Sequence, residues 1–280
     1  MSDAPKVPLR FAVIGDVEPK PDPVFANFRK TIEIINRLNR AAPIAFTAGV
    51  GDLAHGGKVE QYEAATQILK DLETPFYTIM GNEEWSGGGE RYLAYAARWN
   101  DDPAEIPGDS FVKVFPTGAV WAPQVVFLFA TAKAGGITFD EAEIAWIEER
   151  LDLFPRARVF LFTHAPMPGL FPEAGERTMR NNLFQRVVAR PGVAAVFSGH
   201  THMDLDDATT HAVDRFGVRH IHLPGIERTK VGGRHTPRFR LVTIEQSGAV
   251  VVETCNVLTG AFEPQHTLRF SLAERRTGAR

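Results

Sequence analysis

The stretch Val193-Ala194-Ala195-Val196-Phe197-Ser198-Gly199-His200-Thr201-His202 decides how this chain is read. Its first five residues are apolar and predict a buried strand. The run stops at Ser198-Gly199, where glycine lets the backbone turn without a side-chain clash. Two histidines follow with one residue between them, so one strand end aims two imidazoles at one pocket. Imidazole is the commonest neutral ligand for first-row metal ions. A histidine pair at this spacing also arises by chance on surfaces, so the reading turns on what ends the other strands.

Outward from this stretch, four more strands end in metal-capable residues. Leu9-Arg10-Phe11-Ala12-Val13-Ile14 predicts a buried strand that stops at Gly15-Asp16-Val17-Glu18. Ile44 to Val50 predicts the next, ending at Gly51-Asp52, and Pro75 to Met80 a third, ending at Gly81-Asn82-Glu83-Glu84. Arg158 to Phe162 is followed by Thr163-His164-Ala165-Pro166. Taken singly, Gly-Asp and Gly-Asn are ordinary turn pairs. Five such ends in one chain are a different observation.

Helices fill the gaps. Phe28, Ile32, Ile35 and Leu38 recur at helical spacing between Asn27 and Asn39. Val59 to Leu72 predicts a second helix, and Phe139-Asp140 opens another that runs to about Leu151, with Asp140 as N-cap and Glu143 at the capping-box position. A further helix is predicted from the loop after His164 to about Ala189. This alternation predicts a mostly parallel sheet under helices, with its ligand site beyond the carboxyl ends of the strands. After His202 the short runs Ile221–Leu223, Arg238–Ile244 and Ala249–Glu253 predict a second, more antiparallel sheet packed on the first. Trp85 to Gly118, with a helix over Arg91–Trp99, reads as an excursion and candidate cap. Its aromatic residues read as local core rather than a stacking platform.

Bulk properties narrow the class. The 280 residues are 44% hydrophobic, enough for one large core, with a net charge of -3 that gives no basic field for nucleic acid. One cysteine, Cys255, excludes an internal disulfide framework and fits a reducing compartment. No apolar segment of signal-peptide type precedes the first strand, and no run reaches the length of a membrane span. The expectation is a soluble cytoplasmic protein: one domain over residues 1–265, with excursion 85–118, and a peripheral basic tail over 266–280.

In order, the strand ends read Gly15-Asp16-x-Glu18, Gly51-Asp52, Gly81-Asn82-Glu83-Glu84, His164 and Gly199-His200-x-His202. This series resembles the calcineurin-like metallophosphoesterases, whose pattern is D-x-H, G-D, G-N-H-[ED], H, G-H-x-H. The likeness spans Leu9 to about Val257. It implies an α/β fold, a four-layer α/β/β/α sandwich of two mixed sheets with flanking helices and the metal site at the carboxyl ends of the strands. It also implies two divalent metal ions. Asp16 and His202 would hold one, with Glu18 in the place of the family histidine; Asn82, His164 and His200 would hold the other; Asp52 would bridge them. Oxygen and imidazole donors suit Mn, Fe and Zn, and the added carboxylate favours Mn or Fe. The implied activity is hydrolysis of a small phosphodiester or phosphomonoester by hydroxide generated on the metal pair.

The chain departs from the family pattern twice, each time with glutamate for histidine, at Glu18 and Glu83. Glu83 stands where the family places a catalytic imidazole. As a carboxylate it repels a phosphate dianion, which favours diesters over monoesters. His55, Asn82, Arg180 and Asn181 are candidate substrate contacts. Two alternatives follow: a degenerate family member that binds metal or a phosphorylated ligand without efficient turnover, and a nuclease, which the acidic net charge disfavours. The oligomeric state is not legible.

Overall fold

The structure is a computed structural model and describes residues 8–20, 22–99 and 110–272. Two six-stranded sheets lie face to face. The first has β1 (Leu9–Ile14), β2 (Thr47–Gly49) and β3 (Phe76–Thr78), joined by β10 (Arg238–Ile244), β11 (Ala249–Asn256) and β12 (Leu268–Ser271), in the order β12-β11-β10-β1-β2-β3. The second runs β4-β5-β6-β7-β9-β8, with β4 (Phe111–Pro116), β5 (Gln124–Phe129), β6 (Arg158–Thr163), β7 (Val193–Ser198), β8 (His211–Val213) and β9 (Arg219–His222). Both sheets are mixed. The strands β1, β2 and β3 are parallel, as are β5, β6, β7 and β9, and antiparallel strands complete each sheet.

The continuous apolar runs follow from burial on both faces. In β1, Leu9, Phe11 and Val13 point between the sheets, while Ala12 and Ile14 point towards helices. In β6, Phe160 and Phe162 point between the sheets, and Val159 and Leu161 face the opposite layer. The inter-sheet core is built largely of phenylalanine: Phe11 stacks on Phe46 at 5.2 Å and Phe129 on Phe162 at 4.5 Å between ring centroids. A register shift between Val159 and Phe160 skips Ala194 in β7, so Ala195 and Phe197 face the inter-sheet core while Val193 and Val196 face the helices.

Outside the first sheet lie α1 (Ala26–Ala41), α2 (Val59–Leu69) and α4 (Gly89–Trp99), and outside the second α5 (Glu141–Asp152) and the short α6 (Gln185–Val188). The one-turn α3 (Asn82–Ser86) precedes α4. Helix α1 buries Phe28, Ile32 and Ile35, as its period predicts. Asp140 and Glu143 form the predicted capping box of α5, with Glu143 N–H donating to Asp140 Oδ1 at 2.8 Å and Asp140 N–H to Glu143 Oε2 at 2.7 Å. Tyr92, Tyr95 and Trp99 of α4 are buried against α2, with Tyr62 and Tyr95 stacked at 4.6 Å, so they are core. The rest of the candidate cap at residues 100–109 and the tail beyond residue 272 lie outside the described residues.

Two expectations needed correction. The C-terminal strands do not build the second sheet. The chain returns at β10, which pairs antiparallel with β1, while β9 joins β7 in the sheet built by the middle of the chain. The reason is that β1 is central: its second edge would otherwise bury unpaired backbone N–H and C=O groups. The helix before β7 is also short, four residues only. No helix among the described residues is long and apolar enough to cross a membrane.

Candidate metal centre

Parallel pairing sets the site. Asp16 follows β1, Asp52 follows β2, Asn82 opens α3 after β3, His164 follows β6, and His200 and His202 follow β7. The carboxyl ends of both sheets open on the same side, so these side chains converge. One donor atom from each of Asp52, His164 and His200 lies within 4.8 Å of the other two; the same holds for Asp16, Asp52 and His202. Asp52 belongs to both groups.

The contacts are close. His164 Nε2 lies 3.0 Å from Asn82 Oδ1, 3.2 Å from His200 Nδ1 and 3.4 Å from Asp52 Oδ1. Its Nδ1 lies 2.8 Å from the Val50 carbonyl, so that ring face is tied to the backbone and Nε2 points into the site. His202 is held the same way: Nδ1 lies 3.1 Å from the Arg228 carbonyl, and Nε2 lies 3.6 Å from Asp16 Oδ1 and 3.5 Å from Glu18 Oε1. Backbone contacts at the second ring nitrogen orient metal-binding histidines in this manner. Asp16 accepts the His200 backbone N–H at 2.8 Å.

The backbone is strained where these residues sit. Asp52, His200 and His202 have φ of 53°, 69° and 47°, and they are the only non-glycine residues at positive φ among the described residues. Side-chain-bearing residues hold that conformation only where surrounding structure enforces it, and such strain gathers at functional sites. The glycines beside them are explained by space as well as by turning. A Cβ on Gly81 would lie 2.2 Å from Asp52 Oδ1, and one on Gly199 would lie 2.6 Å from Asp16 Oδ2.

With only the protein's own charges acting, the site is electrostatically divided. Burial opposes ionisation of Asp52, but the charge and hydrogen bond of His164 and the Glu83 N–H outweigh it and hold Asp52 below the usual carboxylate range. His164 is the counterpart: burial lowers it, yet Asp52 and Asp16 raise it to about 9. Burial and the neighbouring His164 push His200 down to about 3, and burial and Lys230 keep His202 low. Glu18 is raised to about 8 by burial and by Asp52, against the opposing pull of Arg228.

The two departures from the histidine pattern share one corner. Glu18 is fully buried; Arg228 donates to its Oε1, with Lys230 Nζ at 3.7 Å. Glu83 donates its backbone N–H to Asp52 Oδ1 at 2.9 Å, and its Oε2 accepts the Gly56 N–H at 2.8 Å. His55 Nδ1 lies 2.9 Å from Glu83 Oε2 and 3.3 Å from Glu18 Oε2. Glu84, the next residue in the chain after Glu83, is fully buried. It accepts the N–H groups of Asp52, Leu53, Ala54 and Gly81 at 2.6–2.9 Å and so fixes the two loops that carry Asp52 and Asn82. Arg228 and Lys230 carried no sequence signal, because they sit in a loop 26 residues or more beyond His202. Asn181 gives its side-chain amide to the Phe139 carbonyl at 2.8 Å, and Arg180 is exposed with its backbone N–H on Thr138.

A metal pair fits the donors present. Asp52 Oδ2 and His202 Nε2 are buried and have no hydrogen-bond partner among the described residues. Buried polar atoms of this kind are costly unless something binds them.

Three relatives and two solved structures illustrate the range. The chain is 27% identical over 119 residues to a protein of Arcobacter nitrofigilis named probable glycerophosphodiester phosphodiesterase, covering 41% of this chain and 40% of that one. It is 30% identical over 135 residues to a probable cyclic nucleotide phosphodiesterase of Rhodopseudomonas palustris, covering 47% and 46%. The chain thus spans under half of either protein. It is 26% identical over 240 residues to a serine/threonine-protein phosphatase of Danio rerio, covering 74% of each. In fold it is similar to a purple acid phosphatase from yellow lupin, with a TM-score of 0.63 at 14% identity over 94% of this chain and 53% of that one. It is also similar to a Thermus thermophilus sulfate thiohydrolase, with a TM-score of 0.55 at 11% identity over 95% and 58%. The family model for calcineurin-like phosphoesterases matches residues 9–204, which include every converging residue from Asp16 to His202, and the chain belongs to that family.

Proposed function

We propose that this protein is a metal-dependent phosphoesterase acting on a small phosphorylated substrate, with diesters favoured. The observation that carries the reading is the convergence of Asp16, Asp52, Asn82, His164, His200 and His202 at the strand ends, with Asp52 common to both donor groups. Asp16, Glu18, Asp52 and His202 would hold one divalent cation, and Asp52, Asn82, His164 and His200 the other. Two cations so placed supply an acidified water and a clamp for phosphoryl oxygens. The three carboxylates of the first group lean the choice towards Mn or Fe over Zn.

The chain's own residues do the rest. The Val50 and Arg228 carbonyls hold the His164 and His202 rings with Nε2 inward, and Glu84 fixes the Asp52 loop. Arg228 and Lys230 balance the charge of Glu18 and leave positive charge at the rim for a phosphate oxygen. The Glu83 carboxylate beside the site disfavours a dianionic monoester more than a monoanionic diester. Two of the relatives named above are phosphodiesterases by name, in keeping with that lean. A buried lone cysteine suits a cytoplasmic setting.

The test is metal content together with hydrolysis of an aryl phosphodiester and an aryl phosphomonoester in added Mn, with His200→Ala as control. Two metals per chain, a diester preference and loss of turnover in the variant support the proposal. Two metals without turnover of either ester favour the non-catalytic alternative, for which Glu83→His is informative. A large gain on restoring the imidazole marks a lapsed site, and a loss from an active enzyme gives Glu83 a task of its own.

A further inference from the structure

Glu18, His55 and Glu83 form a third group of donor atoms, again within 4.8 Å of one another, that the reading above does not use as a unit. His55 is built into place. It starts a 3-10 turn, His55–Gly57, whose glycines take φ of 61° and 56°. Gly57 packs so tightly on Gly87 that a Cβ there would lie 2.6 Å from the Gly87 Cα, and Arg91 Nη1 donates to the Gly57 carbonyl at 2.8 Å. The turn therefore cannot swing out without breaking these contacts. It presents the imidazole between two carboxylates that come from different strand ends.

The second observation is an unsatisfied atom. Glu18 has no exposure to solvent. Its Oε1 is taken by Arg228, but Oε2, which faces His55, has no hydrogen-bond partner among the described residues. A buried carboxylate oxygen left in that state is costly, and a cation is one of the few things that resolves it. His55 and Glu83 are 16% and 15% exposed in their side chains, so the group opens to solvent and an ion has a way in.

We propose that Glu18, His55 and Glu83 bind a third divalent cation beside the pair. Two carboxylates and one imidazole suit Mn or Fe(II). Glu18 would then serve two ions, its Oε1 facing His202 at 3.5 Å and its Oε2 facing His55 at 3.3 Å. The Glu83 N–H on Asp52 Oδ1 ties the third site mechanically to the bridge of the pair. The two glutamates that replace histidines would thus be one change, from two separate imidazoles to a further metal site. The proposal rests on the dinuclear reading only through Glu18.

The experiment is Mn titration of the full chain, stripped with chelator, read by calorimetry and by metal analysis after gel filtration. Wild type, His55→Ala, Glu83→Gln and His200→Ala are compared, each checked for folding by circular dichroism. The expected result is three equivalents in wild type and two in each of His55→Ala and Glu83→Gln. Two equivalents in wild type, unchanged in His55→Ala and Glu83→Gln but reduced in His200→Ala, would overturn the third site and leave the pair standing. Equivalents that drop with His55→Ala and not with His200→Ala would keep the third site and sink the pair.

Discussion

The two halves of the site are built on different principles. Around His164 and His200 the donors are an amide, two imidazoles and the shared Asp52, and the Val50 carbonyl orients the His164 ring. Around Glu18 and Glu83 the donors are carboxylates, one imidazole comes from a glycine turn, and Arg228 and Lys230 supply countercharge from a loop far along the chain. The first half sets one carboxylate, Asp52, against the raised His164 imidazole. The second is anionic and depends on distant partners. The difference teaches that a change of ligand type at one position alters what the surrounding loops must supply.

The largest effect should come from the residue the halves share. Asp52→Asn is expected to abolish binding of both cations and to reduce phosphodiester hydrolysis by well over a hundredfold, since even residues behind the ligands typically cost about 10–100-fold. Glu18→Gln should affect the carboxylate half alone, and His200→Ala the imidazole half alone. Metal analysis of the three variants checks the division. Identical losses in Glu18→Gln and Asp52→Asn would show that the halves are not separable.

Next in size is a contrast between adjacent carboxylates. Glu84→Ala strips the acceptor from four buried backbone N–H groups, and each orphaned donor costs about 1–3 kcal/mol. A loss of at least about 3 kcal/mol in a denaturant melt is expected. Glu83→Ala, at the partly exposed rim, should cost under about 1 kcal/mol. Equal losses would mean that the Glu84 cradle is not what holds the loops.

The sequence made the first half readable because each candidate ligand follows an apolar strand, and parallel pairing of those strands leaves few places for their ends to go. The layers were readable for a related reason: β1 and β6 are apolar on both faces, and the helices carry a 3.6-residue period. What stayed illegible depends on long-range partners. Nothing local in Leu241-Val242 says that its strand will pair with β1. Glu84 looks like any loop carboxylate until four N–H groups from two loops close on it. Arg228 and Lys230 reach Glu18 across 210 and more residues of chain.

A pH series sharpens the electrostatic side of the comparison. With divalent ions chelated, His164 sits at about 9 and Glu18 at about 8, both raised. A raised group gives its stability below its unfolded value, about 6.5 for histidine and 4.5 for glutamate, and loses it as pH climbs through the folded value. Asp52 acts oppositely, but its contribution fades only below about pH 4. The chelated protein should therefore melt at progressively lower temperature from pH 6 to pH 9. Mn affinity should rise over the same window, because binding must displace both protons. A melt that stays flat with chelator would mean that the buried charges are balanced in some other way.

The smallest expected effect concerns a residue that follows His164 in sequence and reads as a substrate contact. Asn181 donates its amide to the Phe139 carbonyl at the start of α5 and receives the Leu183 N–H at 3.3 Å. The first ties the loop that joins β6 to α6 back to the segment before α5, and the second is local to that loop. Losing them in Asn181→Ala should cost about 1 kcal/mol of stability, the usual worth of a partly buried hydrogen bond. An amide already committed to the backbone has little left to offer a phosphate, so KM for an aryl phosphodiester should change less than about twofold, well below the roughly tenfold that 1.4 kcal/mol of lost binding would produce. Should KM rise tenfold with the melting temperature unchanged, the loop would have to open during binding and release Asn181 to the substrate. The loop after His164 would then be the mobile part of the imidazole half, and the carboxylate half, pinned by Gly57 and Arg228, the fixed wall against which the substrate is placed.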